Sequence, residues 1–241
     1  MITLLVDPAE FAGEEAGIAG EAYRHLFRAR RTEIGERLRV VDGQGRARWG
    51  EVARVGRQDA RVALAEPAPS QEPAVWVELL VTTLRPERAA WLVEKATEVG
   101  VSAVRFLNSV RAPRTFGGGT AERLRRVAAA AVEQCHRSRL PEVTGPHGWE
   151  EVGRLAAACG ERWFLDVASG ESAQETWRRP AGPVAPAGAV LVGPEGGWAP
   201  EERGELLAAG WTPVGLGPRV LRAETAAVLG VALMVLGAEG G

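Results

Sequence analysis

From residue 75 onward the chain alternates short apolar runs with longer segments of helical periodicity, and this alternation limits its fold more than any other feature. The runs VWVELLV (75–81), AVRFL (103–107), RWFLDVA (162–168), GAVLVG (188–193) and TPVGL (212–216) lack the polar–apolar alternation of a half-exposed strand. Strands apolar on both faces belong inside a parallel sheet. Between them, Ala89, Leu92, Ala96 and Val99 share one face of segment 85–100, with Pro86 near its start and Gly100 as its stop. Leu124, Val127, Ala128 and Ala131 share one face of segment 120–135, opened by Thr120. Segment 200–210 carries proline and acids in its first turn, where the helix dipole favours them. Strands alternating with helices predict an α/β domain whose mostly parallel sheet is covered on both faces.

Upstream the pattern is different. ERLRVVDGQGRARWGEVARV (36–55) places strand-like stretches on either side of DGQG, a hairpin signal because Asp-Gly and Gly-x-Gly supply positive φ. AEPAPSQEPA (65–74), rich in proline and small polar residues, reads as a linker. The expected organisation is a small β-rich domain over 1–68 and an α/β domain over 75–241.

Composition excludes several classes. In 241 residues, 46% are hydrophobic and 25% charged, the mix of a globular protein rather than a disordered one. The longest apolar run, at the C-terminal end, is shorter than the roughly 18 residues of a membrane span. MITLLVDPAE lacks the basic and apolar regions of a signal peptide, so a cytoplasmic protein is expected. Two cysteines, Cys135 and Cys159, and three scattered histidines give neither a disulfide framework nor metal-ligand spacing. Net charge is −2, yet residues 21–61 hold eleven arginines against six acids. That basic stretch is either a phosphate-binding face or the effect of a chain whose single lysine is Lys95.

In open α/β sheets, ligands sit beyond the carboxyl ends of the strands. Two loops have that position. LVGPEGGW (191–198) places Gly193, Gly196 and Gly197 after a strand, either as a plain turn or as a backbone able to approach a ligand closely. LGPRVLRAETAA (216–227) runs from a glycine-proline loop into the apolar helix 226–236 and carries Arg219, Arg222 and Glu224 between the two. Neither G-x-G-x-x-G after a strand, nor a phosphate-binding P-loop, nor a G-x-S-x-G nucleophile elbow is present. Without these motifs, the chemistry is expected to come from a bound cosubstrate.

LVGPEGGW together with LGPRVLRAETAA resembles the paired C-terminal motifs of the bacterial 16S rRNA uracil-N3 methyltransferases of the SPOUT superfamily. HLFRARRTEIGERLRVVDGQG, LRPERAAWLVEKATEVGV and EQCHRSRLPEV resemble further segments of that family, so the likeness spans nearly the whole chain. It implies an N-terminal PUA-like β-barrel for RNA, followed by a SPOUT domain with a parallel sheet and a C-terminal trefoil knot. It also implies S-adenosyl-L-methionine as cofactor, a homodimer completing the site, and a target uridine near the 3′ end of 16S rRNA in the small ribosomal subunit. A SPOUT enzyme acting on a tRNA base or a ribose, and a noncatalytic ribosome assembly factor, are the alternatives.

Carried over by position, the resemblance assigns one cofactor loop to Gly193, Pro194, Glu195, Gly196 and Gly197 and the other to Leu216, Gly217 and Leu221. Leu165, Asp166 and Val167 close the preceding strand as further cofactor candidates. For RNA the candidates are Arg24, His25, Arg28, Arg30, Arg85, Gln134 and Arg137, the last two alternatively at a subunit contact or a solvated helix end. Loss of the uracil N3 proton leaves negative charge shared with two carbonyl oxygens, which Arg219 or Arg222 would stabilise. Glu224 would accept the proton directly, act through water, or orient an arginine. Alternatively, Arg222 and Glu224 pair to cap the helix. Trp76, Trp91, Trp163 and Trp211 are expected in the core, whereas Trp198 lies in the cofactor loop. Helix 226–236, apolar all round, is expected at the dimer interface.

Overall fold

The computed structural model describes residues 1–29, 32–108, 119–167 and 186–239, with only the backbone described at His25, Arg28 and Ala29. Two compact units emerge, residues 1–72 with 129–140 and residues 73–128 with 141–241.

In the first unit a five-stranded sheet has the order β1 (Thr3–Leu5), β3 (Arg37–Val41), β4 (Ala47–Val55), β5 (Asp59–Pro67), β2 (Glu15–Ala19). β1 runs parallel to β3 and the other neighbours are antiparallel. Short helices α1 (Pro8–Phe11) and α2 (Gly20–Tyr23) flank β2, and a π-helical turn follows at Arg24–Ala29. Leu4, Ile18, Leu38, Val40, Val52 and Val62 form the core. The DGQG turn joins β3 to β4. The Asp42 carboxylate accepts from the Gln44 and Arg46 amides at 2.8 and 3.0 Å and from Arg46 Nε at 2.6 Å, as short acidic side chains do in turns.

Residues 129–140 belong to this unit although their helical pattern places them with the α/β segment, because the end of α4 (Thr120–Cys135) gives its contacts to the sheet. Thr3 Oγ1 lies 2.8 Å from His136 Nδ1, and the Leu5 amide donates to Glu133 at 2.9 Å. The buried Arg39 guanidinium donates to the carbonyls of His136 and Pro69 at 2.7 and 3.0 Å. Long-range hydrogen bonding of this kind leaves no periodicity in sequence.

In the second unit six parallel strands have the order β11 (Thr212–Val214), β9 (Glu161–Leu165), β10 (Ala187–Val192), β6 (Trp76–Thr82), β7 (Ala103–Leu107), β8 (Glu142–His147). β6 and β10 are central and almost wholly buried, which explains their apolar runs, broken in β6 by Glu78, which pairs with Arg105 of β7 at 3.0 Å. β8 has no such run because it is an edge strand, where Gly145 and Pro146 are tolerated at a register shift against β7.

Helices α3 (Pro86–Glu98) and α7 (Ala223–Glu239) pack on each other, and α7 also packs on β6 and β10. Gly230 permits that approach, since a Cβ there would stand 2.8 Å from Val190 Cγ1 and 3.3 Å from Leu165 Cδ1. A second apolar cluster joins Leu80, Leu107, Phe164, Leu191 and Trp211 to Val152 of α5 (Val152–Leu155) and Leu206 of α6 (Pro200–Ala208).

Trp163 and Trp211 are buried, as expected, but Trp91 is 42% exposed on α3. Its neighbours Leu92 and Val93 face inward instead. α7 is likewise two-sided: Ala227, Gly230, Val231, Met234 and Val235 are buried, while Leu229 and Leu236 are exposed. No described helix is long and apolar enough to cross a membrane.

Candidate functional site

The carboxyl ends of β9, β10 and β11 lie side by side, and the segments leaving them enclose a cavity of about 340 Å³. Leu165, Asp166 and Val167 come from β9, Val192 to Glu195 with Gly197 and Trp198 from β10, and Val214, Leu216, Gly217 and Arg219 to Leu221 from β11. Ala223 and Ala226 add the first turn of α7. Parallel strands make this convergence unavoidable, because all of them release the chain at the same edge.

Ten of the eleven residues assigned to the cofactor by position thus line one cavity. The exception is Gly196. It sits at the tip of a turn closed by the Gly197 amide donating to the Pro194 carbonyl at 2.9 Å, and it is exposed. Trp198 forms a wall. Its Nε1 donates to the Leu165 carbonyl at 2.8 Å, tying the loop after β10 to the end of β9. Its ring packs edge-on against Phe164 and tilted against Trp149, at centroid distances of 6.0 and 5.9 Å. Gly193 makes room for that ring: a Cβ there would lie 2.9 Å from Trp198 Cε2. Held in this way, Trp198 is a buttress rather than a free stacking platform. The floor is also fixed, since the Asp166 amide donates to the Val214 carbonyl at 3.0 Å and Arg203 Nε donates to the Asp166 carboxylate at 2.9 Å.

The three charged candidates of LGPRVLRAETAA separate. Arg219 lines the cavity and is exposed, next to Val220, which is 83% exposed. Arg222 is exposed and outside the lining, at the head of α7, where its carbonyl accepts from the Ala226 amide at 2.9 Å. Glu224 is buried, with its side chain 8% exposed, and its ion-pair partner is Arg88 of α3 rather than Arg222. Residues two apart on a helix do not face each other, so the capping pair with Arg222 does not form. Arg88 Nε lies 3.6 Å from Glu224 Oε1, and Arg88 Nη1 also contacts Glu195 Oε1. Arg88 was legible only as a charged residue at a helix start. That β6 borders β10, and so delivers α3 to this edge, comes from strand order alone.

Of the RNA candidates, Arg24, Arg85 and Gln134 are exposed. Arg30 lies outside the described residues, as do the side chains of His25 and Arg28. Arg137 is turned inward at 3% exposure and donates through Nε and Nη2 to Glu72 at 3.2 and 2.7 Å. Glu72 accepts as well from the Ser138 and Arg139 amides at 2.7 and 2.8 Å. This commitment removes Arg137 from an RNA-facing surface. Burial pushes the Cys159 thiol up to about 11, so it is a packing group and not a nucleophile. Among the described residues no three His, Cys, Asp or Glu side chains group as metal ligands.

Residues 70–235 match the model of the RNA methyltransferase domain, and residues 18–64 match that of the RNA methyltransferase PUA domain. The ribosomal RNA small subunit methyltransferase E of Mycobacterium bovis is 32% identical across 95% of this chain and 90% of its own. This chain belongs to the ribosomal RNA small subunit methyltransferase E family. Within that methyltransferase E family, the Bacillus subtilis protein is 24% identical over 87% of this chain and 85% of its own. The crystal structure of the Neisseria gonorrhoeae methyltransferase E bound to S-adenosyl methionine shares the fold, with a TM-score of 0.82, 23% identity and coverage of 97% and 96%.

Proposed function

We propose that the chain transfers a methyl group from S-adenosylmethionine to N3 of one uridine near the 3′ end of 16S rRNA in the small ribosomal subunit. The observation that carries this reading is the single cavity in which both motif loops meet with Arg219 among its lining residues. The cavity suits this cofactor. Its volume falls in the range of about 300–1,000 Å³ usual for small-molecule sites. Leu165, Val167, Leu216 and Leu221 offer apolar surface to a purine, and the loop backbone offers polar contacts to its edges. S-adenosylmethionine, when bound, supplies an electrophilic methyl on its sulfonium.

The residues of the chain do the rest. Leu165 to Val167, the loop after β10 and Leu216, Gly217 and Leu221 bind and orient the cofactor, with Trp198 holding the wall. Arg219 directs its guanidinium to the uracil carbonyl oxygens and stabilises the charge left as N3 loses its proton. Glu224, buried with no hydrogen-bond partner for Oε2 among the described residues, stands at the head of α7 and accepts the proton through water or orients a neighbouring cation. Arg222, Arg24, Arg28, Arg30, His25, Arg85 and Gln134 are assigned to RNA, with the first unit as its docking sheet. A homodimer covers Leu229 and Leu236 of α7, and the segment after β11 threads as a trefoil knot.

The test is transfer of labelled methyl from S-adenosylmethionine to purified small subunits, naked 16S rRNA and tRNA. Label in small-subunit rRNA supports the reading. Label confined to tRNA identifies a different target, and cofactor binding without transfer to any RNA identifies an assembly factor.

A further inference from the structure

One guanidinium joins the two halves of the cavity. Arg88 stands in the first turn of α3, a helix seated in the core through Ala89, Leu92, Val93 and Ala96. Its Nη1 donates to Glu195 Oε1, in the loop after β10 that lines the cavity. Its Nε lies 3.6 Å from Glu224 Oε1, in the first turn of α7. The two acids differ sharply in environment, with Glu195 65% exposed and Glu224 8% exposed at their side chains. A pair such as Arg88–Glu195 alone, half in solvent, contributes little. The second carboxylate changes its weight. Glu224 is a buried carboxyl group whose Oε2 has no hydrogen-bond partner among the described residues, so Arg88 and the helix N-terminus it sits on are its electrostatic complement. A cation on a core-packed helix, placed between an exposed acid and a buried acid, constrains both at once.

We infer that Arg88 is a positioning residue of the methyl-transfer site: it holds the Glu195 loop against the cofactor and keeps Glu224 oriented at the head of α7. This rests on the cofactor reading above. Lysine replaces the charge but not the planar fork that reaches two carboxylates, so it restores part of the function only. Glutamine removes the charge at nearly constant volume.

The decisive experiment measures S-adenosylmethionine affinity by calorimetry and single-turnover methyl transfer for the parent chain, R88Q, R88K, E195Q and the R88Q/E195Q double variant. R88Q is expected to weaken the cofactor about tenfold and to slow transfer at saturating cofactor more than tenfold. R88K is expected to recover at least half of each loss on a logarithmic scale. E195Q, a change at an exposed side chain that leaves the core intact, is expected to weaken the cofactor by a factor near that of R88Q while slowing transfer less. In the double variant the affinity loss matches that of R88Q rather than the product of the two. Parent-like affinity and rate in R88K and E195Q together with R88Q, or multiplicative losses in the double variant, overturn the inference. A parent chain that binds no S-adenosylmethionine overturns the cofactor reading and this inference with it, whereas a binding parent with unaffected variants overturns the inference alone.

Discussion

Each unit of the protein pairs a largely buried carboxylate with an arginine, and the two clusters are finished to different degrees. In the first unit Glu72 accepts from Arg137 Nε and Nη2 and from the Ser138 and Arg139 amides, so its charge is fully answered by donors. In the second unit Glu224 faces Arg88 at 3.6 Å and leaves Oε2 buried without a partner, beside a cavity. A saturated cluster fastens the chain. An unsaturated one beside a cavity retains interaction capacity that chemistry or ligand binding can use. The difference supports a stabilising role for Glu72–Arg137 and the proposed site role for Glu224–Arg88, although both read in sequence as ordinary acids and arginines.

Replacing Glu72 by alanine breaks the comparison most directly. It removes the carboxylate of a buried ion pair with Arg137, and loss of one partner of such a pair costs about 3–5 kcal/mol. Urea unfolding is expected to show that loss while cofactor affinity of the folded protein stays near the parent value. Arg219→Ala tests the opposite corner. Removing one preorganised donor to a developing oxyanion slows a reaction by about 100- to 1,000-fold, so single-turnover transfer is expected to fall by that factor with the melting temperature unchanged. Equal losses of stability in the two variants erase the distinction.

Acidification separates the clusters without mutation. Burial alone raises the Glu72 carboxyl, but Arg137 and the Ser138 and Arg139 amides outweigh it and hold the group below the ordinary carboxylate value of 4.5. A carboxyl depressed by folding contributes stability that is present above its unfolded value and lost as pH falls through the folded one. Unfolding followed from pH 6 to pH 3 is therefore expected to show a decline beginning below about pH 4.5, and Glu72→Gln flattens that part of the curve.

Smaller effects sharpen the site itself. Trp198→Phe keeps the packing on Phe164 but loses the bond to the Leu165 carbonyl, which at about 1 kcal/mol weakens the cofactor roughly fivefold in a calorimetric titration. Arg222→Ala, outside the cavity lining, is expected to cost transfer no more than about threefold, read mainly as a higher RNA concentration at half-maximal rate.

The parallel sheet was legible because β6 and β10 are buried on both faces and are therefore mostly apolar. The cavity was legible because glycines follow two strands of the sheet, Gly193 after β10 and Gly217 after β11, where a sheet of this class binds its ligands. Strand order was not, and with it went the meeting of Arg88 with Glu195 and Glu224, residues 107 and 136 positions away from it along the chain. The allegiance of residues 129–140 was hidden for a related reason. Helical periodicity reports which face of α4 is buried but not against which partner, and Arg137 near its end turns to Glu72 rather than to solvent. The roles of the three charged residues in LGPRVLRAETAA separated only when burial distinguished exposed Arg219 and Arg222 from enclosed Glu224.

The central claim is that the cavity beneath Arg219 methylates N3 of one uridine. Methylation at N3 blocks Watson–Crick pairing and halts reverse transcription one nucleotide before the modified base. Small subunits incubated with the protein and S-adenosylmethionine are expected to give one new stop near the 3′ end of 16S rRNA, absent with Arg219→Ala. Nuclease digestion of the labelled RNA is then expected to release the label as 3-methyluridine. Label recovered in a ribose-methylated nucleoside, or in RNA with no new stop, contradicts the account.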